Sequence, residues 1–254
     1  MANIVDERGY NQIFKSTPSQ AIRLRRRVEA MVCEMRLPAA SEDRRLVHIL
    51  EIGCGMGELA HQLAVLTGAR VTGVDLSSRF IAHARATYQH PNLTFSVVDL
   101  GKEFPASEKD KFHYIVGNGI LHHLYHHLDS FLPVLTRWLL PNGRLIFWEP
   151  NLWNPYIFLI FSVPILRRLA KLEPDEMAFT AGFIHANLAT AGFDPVKVST
   201  RDFLLPNTPA FLTKFVIIVG VWLEQIPLVR RLSQSVFIVA TRPGLATEFD
   251  SESR

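Results

Sequence analysis

The sequence predicts an α/β protein built on a doubly wound, mostly parallel sheet of seven strands with helical cap insertions. Three observations lead there. Short apolar runs alternate with stretches of helical periodicity, three of those runs end on an acidic residue, and a glycine cluster stands where the first run gives way to a helix. Alternating strands and helices imply parallel βαβ units. A glycine loop at a strand's carboxyl end lies where open α/β sheets bind ligands.

The elements follow in order. Residues 18–36 read as a helix carrying Arg23, Arg25, Arg26 and Arg27, and a polar gap separates it from the first strand, 46–52. The loop Gly53 to Gly57 leads into a helix with Leu59, Leu63 and Leu66 at helical spacing, stopped by Gly68. A second strand, 70–74, ends at Asp75, and Ser77 is a good N-cap for the helix bearing Phe80, Ile81 and Ala84. Strands at 93–98 and 112–116 follow, the former closed by Asp99. Leu128, Phe131, Leu135 and Leu139 mark a helix halted by Pro141-Asn142-Gly143, and the fifth strand, 144–148, ends at Glu149. A helix at 180–191 and strands at 196–200 and 235–241 complete the sheet. Two apolar segments, 152–175 and 204–233, exceed a minimal fold and read as a cap. The acidic, polar stretch 244–254 reads as disordered.

Composition narrows the class. With 254 residues, 48% hydrophobic and 20% charged, the chain can bury a large core as one domain: a helical lid over 1–45, a ligand-binding core over 46–150, and the insertions. A net charge of +3 gives no continuous basic surface, so nucleic acid is not an expected partner. Two cysteines, Cys33 and Cys54, suit a reducing compartment. The first ten residues lack the apolar run of a signal peptide, and the most apolar stretches are too short or interrupted to span a bilayer. The expected location is cytoplasmic, with peripheral membrane contact and a homodimer left open.

The strongest chemical signal is Glu51-Ile52-Gly53-Cys54-Gly55-Met56-Gly57. A dinucleotide loop of the G-x-G-x-x-G type would need glycine at 58, where Glu58 stands, and an acid at a helix start repels a diphosphate. Asp75 stands where a carboxylate can accept from two ribose hydroxyls. Asp99 can accept from an exocyclic amino group, with Leu76 and Leu100 sandwiching an adenine. Taken singly, each aspartate also suits a helix cap or turn.

LEIGCGMGEL, GVDLS, VVDL and ILHHL together resemble the successive motifs of class I S-adenosylmethionine-dependent methyltransferases of small molecules, a Rossmann-like fold. The resemblance covers about 46–150. It implies that Gly53, Cys54, Gly55 and Gly57 pack against the methionine and ribose, and that Glu51 orients the amino group. Asp75 would hold the ribose, Asp99 the adenine, and Asn118 would lie beside the methionine portion. Gly9-Tyr10-Asn11-Gln12 looks like the segment that folds over the cofactor.

His122, His123, His126 and His127 follow the fourth strand. Helical spacing of 122/126 and 123/127 would suit zinc, but no cysteine or carboxylate adjoins to complete a ligand set, so no metal is expected. An acceptor-site role is the expectation instead. His122 would be a general base, Glu149 would share that role or orient the acceptor, and Tyr10 and His123 would complete the catalytic set. The run Arg23 to Arg27 reads as a solvated helix face, with Arg23 or Arg26 a candidate for the cofactor carboxylate. The apolar insertions point to a small, apolar or lipid-like acceptor, methylated first of all on oxygen. N- or C-methylation, a non-catalytic binding protein of this fold and a nicotinamide-dependent oxidoreductase are the rival readings.

Overall fold

The computed structural model describes residues 6–7, 17–39, 42–100, 111–206 and 208–244. Seven strands, β1 (His48–Ile52), β2 (Arg70–Asp75), β3 (Leu93–Val97), β4 (Phe112–Asn118), β5 (Leu139–Pro150), β6 (Val196–Arg201) and β7 (Ser235–Thr241), form one sheet in the order β3-β2-β1-β4-β5-β7-β6. β1 to β5 run parallel, and β7 runs antiparallel between β5 and β6. The chain reverses its strand order between β1 and β4, so the carboxyl ends on either side diverge and leave a crevice.

Successive side chains on each strand point to opposite faces. On one face Ile49, Val71 and Val116 pack under α1 (Pro18–Glu34) and α2 (Glu58–Thr67), meeting Val28, Met31, Leu59 and Leu63. On the other, Leu50, Ile115 and Phe147 pack under α4 (Leu128–Trp138) and α7 (Ala181–Thr190). Each such fully buried side chain stabilises the fold by roughly 1.5–3 kcal/mol. Between them, α3 (Ser78–Thr87) starts where Ser77 Oγ accepts from Phe80 N at 3.3 Å, as the N-cap reading requires. β5 is longer than its apolar run suggests. Pro141-Asn142-Gly143 ends α4 at Trp138 as expected, yet lies inside the strand, where the β4–β5 register shifts between Phe112 and Tyr114 and Asn142 adopts φ 64°.

Both insertions are helical. α5 (Pro155–Ser162) and α6 (Pro164–Leu169) follow β5, while α8 (Ala210–Leu223) and α9 (Pro227–Arg230) connect β6 to β7. Pro150 and Arg201 both pair with Ser235, so the two excursions leave the same carboxyl edge of the sheet. Asn154 Nδ2 donates to Leu232 O at 2.7 Å and Asn151 Nδ2 to Ser233 O at 2.7 Å, tying one to the other. Among the described residues, no helix is long and apolar enough to cross a membrane. The expectations for Tyr10 and its neighbours and for 245–254 fall outside the described residues.

Candidate active site

The glycine loop is braced by the aspartate that closes β2. Gly55 N donates to Asp75 Oδ2 at 2.8 Å and Ser77 N donates to Oδ1 at 2.9 Å. Each oxygen keeps a lone pair for a further donor. Burial pushes this carboxyl above its usual range, against the pull of those two amides. Gly53 takes φ 63°, and a Cβ there would stand 2.6 Å from the Ile120 side chain, so only glycine fits. Gly57 is constrained from the protein side: it caps α2 at φ 86°, and a Cβ would meet the Phe95 ring at 2.6 Å.

A cavity of about 790 Å³ opens over the loop, at the carboxyl ends of the strands. Gly53, Gly55, Asp75, Leu76, Asp99, Leu100, Asn118 and His123 line it. Asp6, Glu7, Ile120 and Glu173 also line it, none of them expected from sequence. Glu51, Cys54 and Gly57 are not among the lining residues. Glu51 is buried with Oε2 unpartnered, and burial raises its carboxyl well above the ordinary value. Burial likewise pushes the Cys54 thiol up.

The histidine pair divides. His123 faces the cavity, its Nδ1 3.4 Å from Glu173 Oε1 and 3.7 Å from Glu176 Oε2. His122 does not. It is buried, with Nδ1 2.7 Å from Glu149 Oε2 and Nε2 2.9 Å from Glu176 Oε1. Burial opposes its charge, but hydrogen bonds to the two carboxylates outweigh that and hold the imidazolium up to about pKa 9. Glu149 is occupied too: it accepts from Ile120 N at 3.0 Å, Leu121 N at 2.8 Å and His122 N at 3.3 Å, capping the 3₁₀ turn Leu121–His127. The general-base expectation for His122 and the acceptor-facing one for Glu149 therefore give way, because orphan amides and a buried cation claim the same carboxylate. Glu176 also corrects the local reading of the histidines. It brings a carboxylate to His122 and His123, with candidate ligand atoms all within 4.8 Å of one another, while the 122/126 and 123/127 pairings do not form that group.

The arginines form no uniform solvated face. Arg23 Nε and Arg27 NH2 approach Asp202 Oδ2 at 2.9 and 3.4 Å, and Arg26 NH1 reaches Oδ1 at 3.4 Å. Only Arg25 stays at the surface, paired with Glu29. Arg27 NH1 donates to Asn118 Oδ1 at 2.6 Å, fixing the amide at the cavity wall. Neither Arg23 nor Arg26 lines the cavity.

A profile described as a methyltransferase domain matches residues 49–143. The ubiquinone biosynthesis O-methyltransferase of Roseobacter denitrificans is 30% identical over 162 residues, 62% of this chain and 64% of that protein, so slightly under two thirds of its length is matched. The demethylmenaquinone methyltransferase of Chlorobaculum parvum is 31% identical over 181 residues, 63% of this chain and 73% of that one. The chain belongs to the class I S-adenosylmethionine-dependent methyltransferases. S-adenosylmethionine is the cofactor of this methyltransferase. A solved methyltransferase from Mesorhizobium loti shares its fold, with TM-score 0.60 and 21% identity over 85% of this chain and 95% of that one.

The residues missed by sequence reasoning had no local signal. Glu176 lies 54 positions beyond His122. Asp202 follows the sixth strand with φ 74°, a geometry no neighbouring residue announces.

Proposed function

We propose that this methyltransferase methylates a hydroxyl oxygen of a small, apolar, ring-bearing acceptor. The observation that carries the reading is the cavity lining, in which apolar Ile120 and Leu124 accompany one histidine–carboxylate pair, His123 and Glu173. Relatives named for ubiquinone biosynthesis and for demethylmenaquinone support a ring-bearing acceptor, and the first, named an O-methyltransferase, supports oxygen.

The residues fit the cofactor. Gly53 leaves a cradle that a Cβ would fill, and Asp75 keeps open lone pairs beside the half-exposed Leu76. Asp75 would take the ribose hydroxyls, Asp99 with Leu76 and Leu100 the adenine, and Asn118 the methionine portion. When bound, S-adenosylmethionine supplies a methyl group on a positively charged sulfur. The chain's task is then to hold the acceptor in line, exclude water and remove a proton. His123 takes the hydroxyl proton, with the carboxylates of Glu173 and Glu176 at 3.4 and 3.7 Å from its Nδ1. His122, already protonated and doubly bonded, positions the turn that carries His123.

The test pairs calorimetry with kinetics. S-adenosylhomocysteine binds and NAD does not. On a panel of short-chain catechols and hydroquinones, His123→Ala lowers kcat by about 10²–10⁴-fold with cofactor affinity unchanged. Binding of NAD with no response to S-adenosylhomocysteine overturns the cofactor assignment. Full activity in His123→Ala overturns the proton acceptor.

A further inference from the structure

We infer that the outer faces of the two helical insertions form a docking surface for an anionic lipid bilayer. α8 shows why. Thr213 and Gly220 face inward, and a Cβ added at Gly220 would stand 3.3 Å from Phe203 Cβ. The opposite stripe, Phe211, Phe215, Ile218 and Trp222, is apolar yet turned outward, with Phe211 82% and Trp222 75% exposed. On the neighbouring insertion Trp153, Phe158, Leu159, Ile165 and Leu169 are exposed as well. The Asn154–Leu232 hydrogen bond joins the two. Exposed apolar surface this extensive marks an interaction site.

Charge selects the occupant. Residues 152–172 carry no acid, and 208–233 carry only Glu224, whose Oε1 accepts from Asp202 N. Arg168, Lys214, Arg230 and Arg231 are exposed on the same segments. Arg167 is not among them: its guanidinium donates to the carbonyls of Phe161, Glu173, Pro174 and Glu176 and holds the loop that carries Glu176. Apolar side chains edged by cations meet acyl chains and anionic headgroups at once. A second copy fits worse, because a two-fold contact lays a patch against itself and brings its cations together. At 14 residues α8 is about 21 Å long, short of a roughly 30 Å hydrocarbon core, so it would lie in the interface plane. Exposed tryptophans suit that depth. The inner side of α5 bears Phe161, edge-on to His122 at 6.0 Å between ring centroids, so the docked helices reach the turn that carries His123.

Flotation with phosphatidylcholine vesicles, with and without phosphatidylglycerol, tests the surface with no acceptor present, so its outcome is independent of the proposed reaction. The full chain is expected to float with anionic vesicles only and to release at high salt. Arg230→Glu/Arg231→Glu lowers the bound fraction by about tenfold or more. Phe215→Ser/Trp222→Ser abolishes floating, while circular dichroism and S-adenosylhomocysteine binding stay native in both variants. Equal binding to neutral vesicles overturns the anionic assignment. A folded protein that floats with neither, or one that sediments as a dimer dissociated by Phe215→Ser/Trp222→Ser, overturns the docking surface.

Discussion

Glu176 lies 54 residues after His122 in the chain and 2.9 Å from its Nε2 in space. That bond pins the loop after α6 to the turn after β4, and Met177 N donates to His122 O alongside it at 3.1 Å. The segments that bring His123 and Glu173 to the cavity are therefore joined by a buried ion pair.

The pair makes stability depend on pH in a defined window. His122 is raised from an ordinary 6.5 to about 9, so its contribution is complete below about pH 6.5 and is lost as pH rises through about 9. Burial pushes Glu176 up, but the bond to His122 and its charge hold the carboxyl below 4.5. Its contribution is thus present above that value and lost in acid. Urea melts of the protein and of His122→Gln, compared at pH 6 and pH 9.5, should differ by on the order of 3 kcal/mol more at pH 6. A pH-independent difference would assign the bond no net charge.

Gly53→Ala should cripple the site. The left-handed φ costs about 1–2 kcal/mol, and the added carbon meets Ile120 at 2.6 Å. Loss of S-adenosylhomocysteine binding is expected, with a lowered denaturation midpoint. Gly53→Ala/Ile120→Ala should recover part of the stability, because only the steric half is relieved. No recovery in the double variant would place the whole penalty in the backbone.

Asp75→Ala should weaken S-adenosylhomocysteine by roughly 1.5–3 kcal/mol, the range for hydrogen bonds to a charged acceptor. Isothermal titration reads it directly. An unchanged dissociation constant in a folded variant would reduce Asp75 to a brace for Gly55 and Ser77.

Asp202→Asn leaves Arg23, Arg26 and Arg27 without their shared counter-charge. Stripping one partner from a buried ion cluster costs about 3–5 kcal/mol. Arg26→Ala, at the most exposed member, should cost about 1 kcal/mol or less. Chemical denaturation of the two variants checks the ordering, and equal losses would sink it.

The sheet was readable because its signals are local. Most strands are short apolar runs bounded by a turn residue, and all seven overlap the runs read from sequence, although β5 begins earlier, at Leu139. Asp75 and Asp99 were readable at the cavity for the same reason, each closing a strand that ends in the crevice. Glu149 closes a strand just as they do, yet turns inward to cap Ile120 and Leu121. A strand-end acid can face a ligand or satisfy orphan amides, and the difference is set by the next turn's geometry, which periodicity does not encode. The arginine run misled similarly: Arg23, Arg26 and Arg27 look solvated until Asp202 arrives from a strand some 175 residues away.

The shared rooting of both insertions on Ser235, opposite Pro150 and Arg201, sets them outside the ladder of the sheet. Cutting either one out and splicing another between the same anchor residues leaves every rung of the ladder in place. The added cost of a longer splice grows only logarithmically with its length. On the proposed reading, the glycine loop and its two aspartates are a fixed socket and the helices above the carboxyl edge an exchangeable cassette. An engineer seeking a new acceptor would leave residues 46–150 alone and swap the two cassettes together, because the Asn154–Leu232 bond couples them.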